Sequence, residues 1–517
     1  MRYLKPMMLV LACLLANVTF AAPEVRVAEG VVKGAAEGAI NVFKGIPYAA
    51  PPTGSLRWAP PAPAPRRAQP LDATSFGPAC PQPGRPDRAR GFGEQDEDCL
   101  SLNIWAHADA SGAPVMVWIH GGAFRIGKGG TDFYSGEHFA NNGVVLVSIN
   151  YRLGHLGFFA HPQLSEQQGD EPLGNYGLMD QIAALRWIQA NISAFGGDPG
   201  RVTIFGESAG GASVLNLLMI NETRGLYQQA IVQSGGGTGR ARYLAQDAPG
   251  APSLESVGLL VAKQLGVDQA ADPIAALRAL PADRIVTDAN AFEVGSIGFG
   301  PVIDGKLITQ PTTTAFLTGA VNAVPMIIGA NSYEASVLAA FQTPATAFLD
   351  QLGPLRQRAR EVYAEQAGND ETLMAEFLFG DASFVAPARF VARTQSPRKP
   401  VFLYHLDFVR ERARGEVKGA NHGADVILVF NTLDAMPMSR VMFTAADRRV
   451  ADTIHRYWVS FAKTGSPNGA SLPSWPAYSQ QNDTTLYIGN DVIEARSALR
   501  NEQLDFAMQV ITGAGAR

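Results

Sequence analysis

Apolar and polar positions along this 517-residue chain follow two distinct periods. Short runs rich in β-branched and aromatic side chains recur near Val115, Val144, Val202, Ala230, Met326 and Val401. Their unbroken apolarity suits strands that are covered on both faces. Between them lie segments with helical spacing, such as residues 179–191. This alternation predicts an α/β architecture, a central and mostly parallel sheet flanked by helices. Residues 245–295 and 343–392 read as helix-rich insertions, and the proline-dense residues 47–86 as surface loop packed onto the domain. No repeat and no low-complexity linker interrupts the pattern, so residues 22–517 are expected to form one domain.

The N-terminus departs from that pattern. Met1 to Lys5 is a basic start, followed by an apolar core from Met7 to Val18 that is short for a membrane span. Thr19-Phe20-Ala21 ends in small residues, so residues 1–21 read as a signal peptide cleaved after Ala21. A lipoprotein box ending at Cys13 is the rival, disfavoured because the apolar run continues past it. An exported, periplasmic or secreted protein with no stable membrane anchor is expected. Removing Arg2 and Lys5 takes the net charge from −5 to −7, a mildly acidic balance that gives no hint of nucleic-acid binding.

The chemistry concentrates at Gly206-Glu207-Ser208-Ala209-Gly210. Val202 to Phe205 before it reads as a buried strand, and Gly211 to Met219 after it as a helix. A G-x-S-x-G between strand and helix is a nucleophile elbow: its glycines permit a sharp turn that lifts the serine hydroxyl above the sheet edge. A general base should follow, and His405, His422 and His455 lie downstream. His405 sits in the strand-like 401–406 and His455 on an amphipathic helix, whereas His422 lies in a loop of small residues that could present an imidazole. It is the best base of the three. For the acid, Glu334 follows the strand-like 325–329, with Asp304 and Asp350 as competitors. The glycine-rich His120-Gly121-Gly122-Ala123-Phe124, directly after the strand-like 115–119, suits an oxyanion-binding loop.

These motifs, together with Phe43 to Ala49, Glu97 to Ile104, Asn150 to Gly154, Gly174 to Gln181, Phe195 to Pro199 and Phe461 to Gly469, resemble the type-B carboxylesterases. This branch of the α/β-hydrolases includes cholinesterases and related lipases. The resemblance covers nearly everything after the N-terminus. It implies Ser208 as nucleophile, Glu334 as acid within Gly329-Ala330-Asn331-Ser332-Tyr333-Glu334, and His422 as base. It also implies oxyanion donors at the backbone N–H groups of Gly122, Ala123 and Ala209. Many members carry glycine where Ala123 stands; since the backbone donates, alanine should preserve the hole while its methyl narrows the entrance. The insertions should help roof an active-site gorge. The implied reaction is hydrolysis of small-molecule carboxylic esters through an acyl-enzyme. No metal or cofactor is expected. A histidine of ordinary pKa would make activity rise around pH 6–7.

Once Cys13 is removed with the signal peptide, Cys80 and Cys99 remain, and a disulfide between them is expected in an oxidising compartment. The resembled family has a bridge at the corresponding place. Between these cysteines lie Arg85, Arg88 and Arg90, which read as a solvated loop or as a border favouring anionic or polar substrates. No tryptophan falls there and Phe92 is the sole aromatic, so a platform for quaternary ammonium is missing and choline esters are not expected. Alternatives are a lipase, a specialised hydrolase of a bulky ester, or a non-catalytic binding relative. The last is disfavoured because all three triad residues are present.

Overall fold

A computed structural model describes residues 22–84, 93–238, 241–248, 251–287, 299–341, 344–350 and 352–512. The expected signal peptide, Arg85, Arg88, Arg90 and Phe92 lie outside the described residues. In chain order the strands are β1 (Glu24–Val27), β2 (Gly30–Lys33), β3 (Ala35–Glu37), β4 (Ile40–Pro47), β5 (Leu71–Asp72), β6 (Ser101–His107) and β7 (Ala113–Ile119). They continue with β8 (Val145–Ile149), β9 (Gly197–Glu207), β10 (Gln229–Gln233), β11 (Met326–Asn331), β12 (Val401–Leu406), β13 (Thr484–Ile488) and β14 (Ile493–Ser497). β1, β2 and β5 form a small sheet; the others form one large sheet in the order β14-β13-β12-β11-β10-β9-β7-β8-β6-β4-β3. The block from β13 to β8 is parallel throughout, with antiparallel strands only at the edges.

All six expected strands are present, as β7 to β12. Period-2 geometry sorts their side chains onto opposite faces. On β7, Val115, Val117 and Ile119 join one hydrophobic cluster while Met116 and Trp118 join a second. The same split recurs on β10 (Ala230 and Val232 against Ile231) and β11 (Met326 and Ile328 against Ile327). The first cluster is covered by helix Tyr176–Asn191, the second by helix Ala445–Thr464. That second helix carries His455, which is buried with its Nδ1 donating to the Val429 carbonyl at 2.8 Å. His405 is a buried residue of β12.

Both insertions are helical. Leu254–Gln264, Pro273–Ala279 and Ala282–Thr287 lie in the first, and Leu355–Val362, Glu371–Gly380 and Ala386–Gln395 in the second. The second builds its own core with Leu504, Phe506 and Ala507 of the C-terminal helix. The proline-dense segment is tied down at Arg57 and Trp58. The Arg57 guanidinium pairs with Glu97 and donates to the carbonyls of Leu277 and Leu280, and Trp58 Nε1 donates to His155 O at 2.7 Å. Cys80 and Cys99 form a disulfide.

Candidate active site

Three parallel strands of the central block, β9, β11 and β12, deliver the site from their C-terminal ends, where open α/β sheets place ligands. β9 runs into Ser208, which starts helix Ala209–Met219 with φ 56° and ψ −122°. A non-glycine residue seldom adopts this backbone, and its persistence marks an over-determined turn. The turn needs its glycines because the backbones touch. A Cβ on Gly206 would lie 2.7 Å from the Ile119 carbonyl oxygen, and one on Gly210 only 2.0 Å from it. The Ser208 N–H donates to Gln233 O at 2.9 Å, locking the elbow to β10.

β11 leads to Glu334, at the start of a short 3₁₀ turn and 1% exposed. β12 leads by a longer loop to His422. That loop is stitched to the Glu334 loop: the Tyr333 N–H donates to Ala420 O, the His422 N–H to Ser336 Oγ, and Asn331 Nδ2 to Asn421 O, all at 2.8–2.9 Å. The result is a relay. Ser208 Oγ lies 2.8 Å from His422 Nε2, and His422 Nδ1 hydrogen-bonds Glu334 Oε2. The other Glu334 oxygen accepts from Ser234 Oγ and from the Asn331 N–H, each at 2.6 Å. Asp304 instead caps a turn, accepting from the N–H groups of Lys306 and Ile308, and Asp350 is exposed. The competitors for the acid are therefore elsewhere.

The glycine-rich loop packs on the elbow. A Cβ on Gly121 would lie 2.7 Å from Glu207 O and 3.1 Å from Ser208 Cβ. Gly122 and Ala123 both have positive φ, 111° and 56°. Among the described residues none accepts a hydrogen bond from the N–H of Gly122, Ala123 or Ala209. His120 holds this loop from beneath: it stacks on Tyr151 at 4.5 Å, its Nδ1 donates to Gly121 O, and Tyr151 Oη donates to His120 O. Burial keeps this imidazole neutral, with its pKa pushed down to about 4.

Two buried carboxylates complete the site, and periodicity did not single them out. Glu207 Oε1 lies 3.2 Å from His422 Nε2 and has no hydrogen-bond partner among the described residues. Asp425 accepts from Gln233 Nε2 at 2.8 Å and Tyr404 Oη at 2.9 Å. Burial pushes the Glu207 carboxyl up to about 8, although the nearby imidazole opposes the shift. For His422, burial disfavours the charged ring, but Glu207, Glu334 and Asp425 outweigh it and lift its pKa to about 9. The expectation of an ordinary imidazole is therefore corrected. The signal for Glu207 was its place inside the elbow; for Asp425, a carboxylate in the otherwise apolar helix Ala424–Val429.

The sheet order, the elbow at the strand end and the serine–histidine–carboxylate relay define an α/β-hydrolase. The chain belongs to the carboxylesterase family, whose model matches residues 21–507. It is 34% identical over 484 residues to the para-nitrobenzyl esterase of Bacillus subtilis (strain 168), covering 90% of this chain and 94% of that one. The fumonisin B1 esterase of Sphingopyxis macrogoltabida is 35% identical over 482 residues, covering 89% and 85%. Among solved structures, a thermophilic PNB esterase superposes with a TM-score of 0.81 at 31% identity, covering 94% of this chain and all of that one. The protein is accordingly a carboxylic ester hydrolase acting on small-molecule esters. No described helix is long and apolar enough to cross a membrane.

Proposed function

We propose that Ser208 is the nucleophile, His422 the general base and acid, and Glu334 the residue that orients and charge-balances the imidazole. The observation that carries this reading is the unbroken relay from Ser208 Oγ through both His422 nitrogens to Glu334. Neutral His422 takes the hydroxyl proton through Nε2 as Ser208 Oγ attacks the ester carbonyl. The carbonyl oxygen gains charge beside the free N–H groups of Gly122, Ala123 and Ala209, each contributing roughly 3–4 kcal/mol of transition-state stabilisation. His422 then protonates the departing alcohol. Water repeats the sequence on the acyl-enzyme and releases the acid.

We also propose that residues 1–21 are an export signal and that residues 22–517 form one catalytic domain in the periplasm or outside the cell. The Cys80–Cys99 disulfide supports an oxidising destination.

Hydrolysis of p-nitrophenyl acetate, butyrate, octanoate and palmitate, beside Ser208→Ala, tests the assignment. Activity strongest on the short esters and lost in the variant, with a fluorophosphonate labelling only the wild type, is expected of a serine carboxylesterase. Activity that rises with chain length would mark a lipase. Full activity in Ser208→Ala would sink the assignment.

A further inference from the structure

Outside the relay, one element touches two of its members. Helix Glu371–Gly380 and helix Ala386–Gln395 are joined without a break by Asp381–Val385, the one π-helical turn among the described residues. Such wide turns interrupt a helix at a local cost and are frequent at functional sites. At its leading end, Gly380 packs on the acid: a Cβ there would lie 3.2 Å from Glu334 Cβ and 3.6 Å from the Ala335 nitrogen. Within the turn, the half-buried Phe384 sets its ring 4.8 Å from the His422 ring, tilted by 45°. A regular α-helix through the same residues would rotate Phe384 away by roughly 100° for the one residue the wide turn absorbs.

The turn is held by distant parts of the chain. Its first residue, Asp381, is 1% exposed and accepts from Tyr363 Oη at 2.7 Å and Arg500 Nη2 at 2.6 Å. Arg500 precedes the C-terminal helix Asn501–Thr512 and adopts a left-handed backbone, φ 58°. An arginine in that conformation is paid for by its surroundings, here a buried ion pair whose loss would leave the Asp381 charge uncompensated.

We propose that the π turn is a brace for the triad: Gly380 backs Glu334 and Phe384 covers His422, with both placed by the Arg500–Asp381–Tyr363 cluster. Phe384 limits rotation of the imidazole and shields that face from water, and Gly380 leaves Glu334 room to meet Nδ1. Both are positioning residues, and the proposal rests on the reading of Glu334 and His422 as acid and base.

The test uses the full-length enzyme, first shown to hydrolyse p-nitrophenyl acetate, so that failure of the esterase reading is seen separately. Gly380 has ordinary helical angles, φ −60° and ψ −46°. Alanine is the better helix former there, which offsets the cost of its methyl meeting Glu334 Cβ at 3.2 Å, so Gly380→Ala should leave Tm little changed. It should nevertheless lower kcat about 10-fold, since misplacing a catalytic group by ~1 Å can cost ~100-fold. Phe384→Ala should lower kcat similarly with KM little changed, and Phe384→Leu should restore most of it. The loss in Phe384→Ala should be larger for phenyl acetate than for p-nitrophenyl acetate, because the poorer leaving group depends more on the His422 proton. A wild-type kcat in either Gly380→Ala or Phe384→Ala overturns the brace, as does a loss of activity matched by a fall in Tm.

Discussion

Glu207 Oε1 lies 3.2 Å from His422 Nε2, the same nitrogen that faces Ser208 Oγ. The histidine therefore meets a carboxylate at each end. Its raised pKa means that the active, neutral form appears only as pH climbs past the ordinary imidazole range, about 6.5. The kcat/KM profile of the wild type should still be rising between roughly pH 7 and 9. Glu207→Gln removes one negative neighbour, which lowers the His422 pKa and moves the acidic limb down by roughly one unit. An unmoved limb would mean that Glu207 is already protonated there.

Ser234 Oγ donates to the Glu334 oxygen that His422 does not use. Without it, Glu334 keeps the Asn331 N–H but loses a constraint on the plane of its carboxylate. Ser234→Ala should lower kcat by about 10-fold, the equivalent of one hydrogen bond to a charged group, and leave KM nearly unchanged. Steady-state kinetics on p-nitrophenyl butyrate would decide; a rise in KM alone would assign Ser234 to substrate binding.

Ala123 holds a φ of 56°, a conformation that costs an L-residue about 1–2 kcal/mol. Ala123→Gly relieves that strain but adds about 0.4–1 kcal/mol of unfolded-chain entropy, so the net change in stability should fall between about 0 and 1.6 kcal/mol in favour of glycine. Since the proposed donor is the backbone N–H, activity on acetate esters should persist. Removing the methyl should favour bulky esters relative to acetate, measured as a ratio of kcat/KM values. Loss of acetate activity would show that the alanine, and not merely its backbone, shapes the oxyanion loop.

The disulfide closes the loop that Arg57 grips through Glu97. Replacing both cysteines by serine should lower unfolding stability by about 3 kcal/mol on chain-entropy grounds. Chemical denaturation followed by tryptophan fluorescence measures this directly. Stability unchanged within error would show that the Arg57–Glu97 contact suffices to hold the loop.

Legibility followed the range of each interaction. The strands β7 to β12 were visible because a run buried on both faces is apolar at every position, a property of the local text. The elbow was visible for the same reason, as strand, turn and helix lie within one short stretch. His422 stood out from His405 and His455 because small-residue loops differ locally from strands and helices. Residue pattern alone favoured Glu334 over Asp304 and Asp350 by a small margin, and family resemblance strengthened the choice. In the structure, parallel pairing sets β11 beside β12 and carries Glu334 to the His422 loop.

By itself, then, the sequence determined the layered α/β design, the nucleophile elbow, the glycine loop and the histidine, all encoded over a few consecutive residues. Only the tertiary structure decided the electrostatics. Glu207, Glu334 and Asp425 come from separate segments, and their joint pull on His422 exists only once burial has removed the water that would screen them. The same holds for the brace around Phe384, whose anchor Arg500 lies 119 positions from Asp381. Charges and contacts gathered from such distances leave no periodic trace, because periodicity reports which way a side chain faces and not what it meets there.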